Sequence, residues 1–449
     1  MNDSKKTLIY VGVAAVLALL AFVTSPRKIT PEAFSDQGKP FFPDFKDPNA
    51  ATTLEVVSFD EAAGTASPFK VTFKDNRWII PSHNNYPADA KDRLAKTAAG
   101  VMDIKRDDFR SDNVADYPKF GVVDPTDPST SGLTGRGTRV TLKGSGDQVL
   151  ADFIVGKPVG GSDGYRFVRV PGEKRVYAAK MNVDLSARFE DWVEKDLLKV
   201  TRSQIAKVGL RYYSIDERTG RVNQGENVVL SQRDGKWVMG GGQPVDSAAV
   251  QKLLAAIDDL KLVGVRPKPK GLAAVLAGTG QNMIQQQDLL SLQSKGFYIS
   301  PQGQLLSNEG EMQVYTTYGV VYTLRFGEVA YGAGEALTAG TGEDQAAKTG
   351  AAANRYIFVT VAFDPSVTSE PKRPANSSWQ GKPDSTMTDA DRENKRLQEE
   401  HDRWERNVQT GRSQADELNR RFADWYYVIS SASFDQLHVK RSDLLPKKS

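Results

Sequence analysis

The chain of 449 residues contains no cysteine and only three histidines, His83, His401 and His438. Without thiols the protein cannot form disulfide bonds, use a thiolate nucleophile or carry lipid on an N-terminal cysteine. A zinc site of the cysteine and histidine type is excluded for the same reason. No candidate motif in the chain forms a convincing catalytic constellation, so we expect no metal, no cofactor and no catalytic residue, and we predict that the protein is not an enzyme.

Neither sign of charge dominates, because the chain has 59 lysines and arginines and 56 aspartates and glutamates, which gives a net charge of +3. A dedicated nucleic-acid-binding protein would concentrate basic residues on one face, so we expect no nucleic-acid partner. The composition, 39% hydrophobic and 26% charged, is typical of a folded globular chain. The length allows two or three domains.

One segment resembles a nucleotide-binding P-loop but lacks a required glycine. It begins at Gly342 and ends at Lys348-Thr349, with Ala347 where the motif has its second glycine. That glycine lets the backbone point its amides at a phosphate, and the loop must join a buried strand to a helix. Here the segment joins two predicted antiparallel strands, so we interpret it as a hairpin loop.

The first 28 residues contain the longest apolar run. No charge appears from Thr7 through Pro26, and about twenty helical residues match the thickness of a bilayer's hydrocarbon core. The short tail with Lys5 and Lys6 favours a cytoplasmic N-terminus, with the bulk of the chain extracytoplasmic, that is, periplasmic. A cleaved signal peptide and a buried core helix remain alternatives, although no Ala-x-Ala triplet ends the run.

Several short signatures occur twice in the same order, which indicates a duplicated module. The gap between the two occurrences grows along the chain, so the second copy carries the insertions. The paired segments are 75–78 with 234–237, 153–156 with 324–327, 165–170 with 356–361, 188–192 with 421–425, and 198–203 with 437–442. The duplication predicts two tandem α+β repeats.

Each copy shows the pattern of an antiparallel sheet with one packed helix. Asp75-Asn76 and Asp234-Gly235 are typical of tight hairpin turns. Asp89 and Asp246 are predicted to cap the following helix in each copy. The strand with the pattern Tyr-x-Phe-Val-x-Val is predicted to close each sheet. The predicted limits are 1–28 for a transmembrane anchor, 29–52 for a spacer, 53–200 for the first repeat and 201–449 for the second, with a helical insertion at about 365–420.

Four tryptophans recur at matched positions, at 78, 192, 237 and 425. We predict that they fill the core of each copy, because buried aromatic rings contribute much apolar surface. The alternative is a pair of exposed platforms on which sugar rings stack.

The two copies differ most between Phe363 and Arg421, where the second copy has its largest insertion. Residues 364–387 have no apolar rhythm and predict a loop, and a strongly charged helix follows from Asp389. Its apolar side chains form a heptad-like seam typical of a coiled coil, and Gly411 predicts a split into two helices. The seam can pack on its own sheet or on a partner helix. The predicted partner contacts are Leu397, His401, Trp404 and Val408.

Two runs carry a family resemblance. Residues 117–125 read Tyr-Pro-Lys-Phe-Gly-Val-Val-Asp-Pro, and residues 306–311 read Leu-Ser-Asn-Glu-Gly-Glu. With the strands that follow them, these runs resemble the family called domain of unknown function 4340, over roughly residues 50–365. The resemblance implies a membrane-anchored extracytoplasmic partner of gliding-motility-type ABC transport systems. It brings no catalytic residues and does not extend to the charged helix.

Three hypotheses for the function follow. The first is a non-enzymatic accessory or scaffold protein beside an ABC-type transport system, with membrane and transporter subunits as partners. The second is a cell-envelope polysaccharide-binding protein or hydrolase with a site between the two repeats. The third is a structural stalk that oligomerises through the charged helix. The sequence does not fix the oligomeric state.

Overall fold

The computed structural model of the protein describes residues 3–24, 36–62, 64–128, 132–216, 219, 221–276, 284–332, 337–339 and 353–446. The segment that resembles a P-loop lies outside these described residues. The chain forms two compact units. The first comprises Met1–Asn76 and Ala90–Ala187, and the second comprises Arg77–Asp89 and Arg188–Ser449.

Both units contain helices and runs of consecutive strands. The described helices are α1 (Asp3–Thr24), α2 (Lys91–Met102), α3 (Tyr117–Phe120), α4 (Ser247–Asp258), α5 (Lys270–Leu276), α6 (Gln286–Gln293), α7 (Asp389–Ala423) and α8 (Ser431–Leu437). The strands of the first repeat are β1 (Thr53–Asp60), β2 (Thr65–Lys74), β3 (Arg77–Ile80), β4 (Tyr86–Pro87), β5 (Asp108–Ser111), β6 (Thr138–Lys143), β7 (Val149–Pro158), β8 (Tyr165–Arg169) and β9 (Val176–Lys180). Those of the second are β10 (Ile205–Asp216), β11 (Arg221–Arg233), β12 (Lys236–Met239), β13 (Gln243–Pro244), β14 (Leu262–Pro267), β15 (Phe297–Ile299), β16 (Leu305–Ser307), β17 (Glu311–Thr316), β18 (Val320–Tyr331), β19 (Ala353–Phe363) and β20 (Trp425–Ile429).

The first unit is built on an antiparallel sheet. Its strands lie side by side in the order β2-β1-β6-β7-β8-β9-β5. In β1, Leu54 and Val56 are buried, as the alternation of apolar residues predicts. Helix α2 buries the face that carries Leu94, Ala98 and Val101. The unit thus has the predicted α+β plan.

The second unit repeats this plan. Its nine-stranded sheet has the order β13-β12-β11-β10-β17-β18-β19-β20-β14. The stretch β11-β10-β17-β18-β19-β20-β14 of this sheet matches the order β2-β1-β6-β7-β8-β9-β5 of the first unit, strand for strand. The hairpin β12–β13 corresponds to the hairpin β3–β4. This agreement confirms the two-sheet layout that the repeated signatures predict.

The hairpin turns have the predicted chemistry. Asp75 and Asn76 both adopt positive φ, at 51° and 61°, and Asp234 and Gly235 do the same, at 50° and 74°. Asn, Asp and Gly tolerate this region better than other residues, which is why these pairs connect tightly twisted strands.

Helix capping follows the prediction in one copy only. Asp246 accepts hydrogen bonds from the amides of Ala248 and Ala249, at 2.9 and 3.2 Å. In the first copy the residue before helix α2 is Ala90, and the side chain there makes no capping bond. The prediction that Asp89 caps that helix is therefore wrong.

The strands β8 and β19 do not close their sheets, contrary to the prediction. Strands β9 and β5 continue the sheet beyond β8, and β20 and β14 continue it beyond β19. The two outer strands come from distant sequence, since β5 precedes β6 and β14 precedes β17. Local patterns could not place them for that reason.

Helix α7 is continuous over 35 residues, so the predicted split at Gly411 is wrong. A Cβ at Gly411 would overlap the carbonyl oxygen of Tyr318 and touch the ring of Phe363. The glycine allows the helix to approach the sheet closely, at strands β18 and β19. Farther along, the Asn419 side chain bonds both the amide and the carbonyl of Val361 in β19.

Helix α1 extends over 22 residues. Within the described part of the chain, no helix meets the length and apolarity that a membrane crossing requires.

Candidate functional site

Residues 364–387, hereafter the strap, run back along the N-terminal half of helix α7. The indole Nε1 of Trp404 donates to the carbonyl oxygen of Thr368 at 3.2 Å. The Oδ1 of Asn394 accepts from the amide of Ala375 at 2.9 Å. Successive bonds therefore join later strap residues to earlier helix residues, and the two segments are antiparallel.

The base of the strap is held by Asp391. Its carboxylate accepts from the Nζ of Lys382 at 2.8 Å, the Oγ of Ser378 at 2.9 Å and the amide of Thr388 at 3.0 Å. Hydrogen bonds from Lys382 and Thr388 hold the pKa of Asp391 well below its usual range. Thr388 also caps helix α7 by accepting from the Asp391 amide.

The four predicted partner contacts lie in this region of helix α7. His401 is buried, whereas Leu397, Trp404 and Val408 are half-buried. The rings of His401 and Trp404 lie 5.4 Å apart. Both side chains reach the strap, so part of the seam is covered by the protein's own chain. A partner contact at these residues stays a prediction.

His401, Asp402 and Glu405 are the described side chains that come closest to a metal-binding arrangement. Their candidate ligand atoms lie within 4.8 Å of one another. Each already has a neighbour: His401 contacts Glu370 at 3.2 Å and Glu405 at 3.5 Å, and Asp402 accepts from Gln398 at 2.6 Å. This geometry is that of a structural ion-pair cluster, which holds the strap to the helix.

A cleft of about 220 Å³, hereafter the Trp425 cleft, opens within the second unit. Segments from both sequence repeats line it. Its polar and aromatic lining residues are Tyr86, Asp89, Glu194, Arg420, Arg421, Asp424, Trp425 and Tyr427.

Backbone carbonyls hold Arg421, one of the charged residues that line the Trp425 cleft. Arg421 donates to the carbonyl oxygens of Asp196 and Leu197, at 3.0 and 3.2 Å. The hydroxyl of Tyr427 donates to the Arg421 carbonyl at 3.2 Å, and burial raises the pKa of Tyr427. Burial likewise raises the pKa of Tyr86, whose ring meets the ring of Trp425 edge to face at 4.9 Å.

The recurring tryptophans have different burial. Trp192 is fully buried and Trp425 is 8% exposed, as core residues are. Trp78 and Trp237 are half-buried. The core interpretation therefore holds for Trp192 and Trp425, whereas Trp78 and Trp237 are only partly buried.

Sequence reasoning missed a buried ionic cluster around Glu311 in strand β17. The Glu311 carboxylate contacts Arg211 at 2.6 Å and Arg325 at 3.1 Å, and accepts from the Tyr213 hydroxyl at 3.3 Å. Burial lowers the pKa of Arg325 despite this neighbouring carboxylate. The signal in the sequence was a glutamate at the start of strand β17, since a carboxylate requires partners when it is buried.

A second buried cation is Lys268, at the end of strand β14. Its Nζ donates to the carbonyl oxygen of Phe422 at 2.8 Å and lies 3.9 Å from the centre of the Phe358 ring. Burial lowers the pKa of Lys268 well below its usual range. The lysine joins helix α7 to the sheet and has no open space for a substrate.

Residues 78–275 match the family described as Domain of unknown function (DUF4340). This match confirms the resemblance to that family, over a shorter stretch than the 50–365 that the sequence runs indicated. The matched stretch begins in the first repeat and ends in helix α5 of the second. No curated protein and no solved structure shows a significant match to the chain.

Proposed function

We propose that the protein is a non-enzymatic accessory or scaffold protein of the cell membrane. In this proposal helix α1 is a single-pass anchor, and the two sheet units lie on the extracytoplasmic, periplasmic side. The proposed partner is an ABC-type transport system of the gliding-motility kind, for which the family resemblance is the support. The match to the family concerns the fold region and adds nothing on transport.

The observation that carries the proposal is the exposure of helix α1. Val11, Val16, Leu17 and Leu19 are between 59% and 67% exposed. Contiguous apolar surface of this kind is unfavourable in water, and hydrocarbon or another protein would cover it. Although no described helix meets the length and apolarity of a membrane span, the uncharged run from Thr7 through Pro26 supports the anchor together with these exposed side chains.

The buried ionisable groups support a non-enzymatic role. Glu311 is neutralised by two arginines, and Lys268 is enclosed by aromatic rings. His83 is held between Ser82 and Thr338 by hydrogen bonds of 2.9 and 2.8 Å. Each of these groups is bonded to neighbouring residues, and its contacts stabilise the fold.

The absence of cysteine allows a direct test of orientation. Single cysteines are introduced at Ser377, which is exposed in the strap, and at Ser4, before the apolar run. A membrane-impermeant maleimide is applied to cells whose outer envelope is permeabilised and whose cell membrane is intact, hereafter intact cells. We expect labelling of Ser377→Cys in intact cells and of Ser4→Cys only after lysis. Labelling of Ser4→Cys alone in intact cells would contradict the proposed orientation.

The transporter association requires a separate experiment. The tagged full chain is purified from membranes in mild detergent, next to an unrelated single-pass protein with the same tag. We expect the ATPase and permease subunits of an ABC-type transporter with the chain and not with the control. If repeated purifications and chemical crosslinking recover no such subunit, the association is wrong even where the orientation is right.

The Trp425 cleft favours a second candidate, a cell-envelope polysaccharide-binding protein. Its two aspartates and one glutamate are groups that accept hydrogen bonds from sugar hydroxyls, and they come from both repeats. We expect glycan fragments of the cell envelope to change the Trp fluorescence of the wild type more than that of Asp424→Asn. Equal fluorescence changes in the wild type and Asp424→Asn would contradict glycan binding in the Trp425 cleft.

A further inference from the structure

The second unit contains a groove of about 760 Å³ beside its C-terminal segment. It is hereafter the C-terminal groove, and its principal lining residues are Tyr212, Glu226, His438, Lys440, Arg441 and Leu445. The volume lies within the range of small-molecule sites, about 300–1,000 Å³. The four residues from 438 to 441 belong to the repeated signature at 437–442, and neither the fold nor the proposed function accounts for them.

The groove depends on a β-bulge that the first copy lacks. The pairing of β10 with β11 shifts between Arg211↔Asn227 and Tyr213↔Gln224, so Gly225 and Glu226 of β11 together oppose Tyr212 of β10. Across from it, a Cβ on Gly225 would lie 2.7 Å from the Tyr212 carbonyl oxygen. Strands β1 and β2, the matching pair in the first unit, are in continuous register from Thr53↔Thr72 to Asp60↔Thr65. Bulges redirect side chains and occur often beside functional sites.

The walls of the groove are fixed by contacts within the unit. The Tyr212 hydroxyl donates to the carbonyl oxygen of Val439, and burial raises the pKa of Tyr212, which keeps the hydroxyl protonated. The His438 ring stacks on Phe434, with centres 4.9 Å apart and planes 17° apart, and its Nε2 lies 3.1 Å from the Glu309 carbonyl oxygen. The aromatic surfaces are therefore in place before a ligand binds.

The rim of the groove is cationic. Lys440 is exposed, and Arg441 is half-buried at the same edge. Glu226 is the one carboxylate of the lining, and its oxygen is 3.9 Å from the Arg441 guanidinium, a distance that leaves the pair loose. Arg441 also donates to the Oε1 of Gln243 at 3.1 Å. The lining thus has two cations for one anion, and the Asp443 carboxylate, which accepts from the Lys440 amide at 2.9 Å, lies beside it.

We propose that the C-terminal groove binds a small amphiphilic anion, a phosphate or carboxylate that carries an aromatic or alkyl group. The apolar part lies against Tyr212, His438 and Leu445, and the anionic group lies between Lys440 and Arg441. The first copy has Lys199 and Thr201 at the positions of His438 and Lys440, so it lacks both the aromatic wall and one rim cation.

The repeat supplies a matched control for the test. Full-length protein in mild detergent is titrated with 1-naphthyl phosphate, and binding is followed by the anisotropy of the naphthyl fluorescence. We expect saturable 1:1 binding that the double variant K440A/R441A weakens at least tenfold. Arg202→Ala changes the equivalent arginine of the first copy, which pairs with Asp258 at 3.4 Å, and is expected to leave the affinity unchanged.

Further variants and probes keep the proposal open to refutation. Gly225→Ala is expected to displace Tyr212 and to weaken binding, with circular dichroism as the check on folding. Tyr212→Phe keeps the ring and is expected to retain most of the affinity. The proposal is overturned if neutral 1-naphthyl glucoside binds as tightly as the phosphate, or if R202A and K440A/R441A weaken binding equally. Absence of binding at about 1 mM probe, the weakest affinity of interest, overturns it as well.

Discussion

At the residue scale, the protein places several polar groups where only specific neighbours make burial tolerable. His83 is 4% exposed, and its ring stacks on Phe189 with centres 4.4 Å apart. Burial, with the nearby charge of Arg266 as the lesser cause, lowers the pKa of His83 from 6.5 to about 4. The imidazole is therefore neutral in the folded protein at pH 7.

We predict that His83 makes the protein sensitive to mild acid. In the unfolded chain the imidazole takes up a proton below pH 6.5, whereas in the folded protein it resists protonation down to about pH 4. The stabilisation is fully present above pH 6.5 and is lost as the pH falls through that interval, by up to about 3 kcal/mol. Urea unfolding followed by Trp fluorescence at pH 7.5 and pH 4.5 measures the loss.

His83→Gln separates this effect from the titration of carboxylates. The variant is expected to be less stable at pH 7.5, because the stacked ring is lost, and to lose less stability on acidification than the wild type. His438→Gln is the control, since this ring lies in the half-exposed C-terminal groove. An identical pH dependence in the wild type and His83→Gln would contradict the assignment.

A second prediction concerns Gly411 in helix α7. In an exposed helix, Gly→Ala stabilises by about 1 kcal/mol. Here the added methyl group would overlap the Tyr318 carbonyl oxygen, so we expect Gly411→Ala to destabilise by about 1–3 kcal/mol. Ser413→Ala, at an exposed position of the same helix, is expected to be neutral or slightly stabilising. Thermal unfolding of both variants decides the sign.

The sequence predicted residue roles where the cause is local. The positive φ values at Asp75-Asn76 and Asp234-Gly235 follow from the side chains themselves, and so does the cap at Asp246. Gly411 was misinterpreted because its role depends on Tyr318, far away in sequence. Tyr212 escaped notice because a bulge is a property of two paired strands.

At the element scale, polar contacts hold the strap against helix α7. The strap was predicted as an irregular loop because it lacks apolar rhythm, and that description of its sequence is correct. Its order comes from hydrogen bonds to Asp391, Asn394 and Trp404 on the helix. Such bonds leave no periodic trace in the sequence, so only the structure could show them.

We predict that Asp391→Asn releases the base of the strap. The change removes the charge that Lys382 contacts and weakens the cap of helix α7. Hydrogen–deuterium exchange is expected to increase in the strap and in the first turns of the helix, with little change in strands β18 and β19. Asp389→Asn, at an exposed neighbour in the same turn, is the control. Unchanged exchange in the strap of Asp391→Asn would show that Asp391 does not hold it.

At the scale of the whole molecule, duplication explains the architecture. The strand order of one unit recurs in the other, although the second copy is longer. The insertion carries the strap and most of helix α7, whereas the C-terminal groove comes from a β-bulge and different side chains within repeated segments. The repeated signatures revealed the layout because they sit at turns and core strands, whereas the divergent features had no counterpart to be compared with.

The last prediction concerns the attachment of the whole chain. If helix α1 is the anchor, a variant without residues 1–28 should leave the membrane pellet after a carbonate wash, whereas the full chain should remain in it. Both sheet units bury their apolar strands within residues 36–446, so we expect the shortened protein to keep the Trp fluorescence and cooperative unfolding of the full chain. The change in location has a simple physical cause, because the exposed valines and leucines of helix α1 would no longer be present to partition into hydrocarbon. A folded shortened protein that stays with the membrane would show that a surface of the sheet units, and not helix α1, makes the attachment.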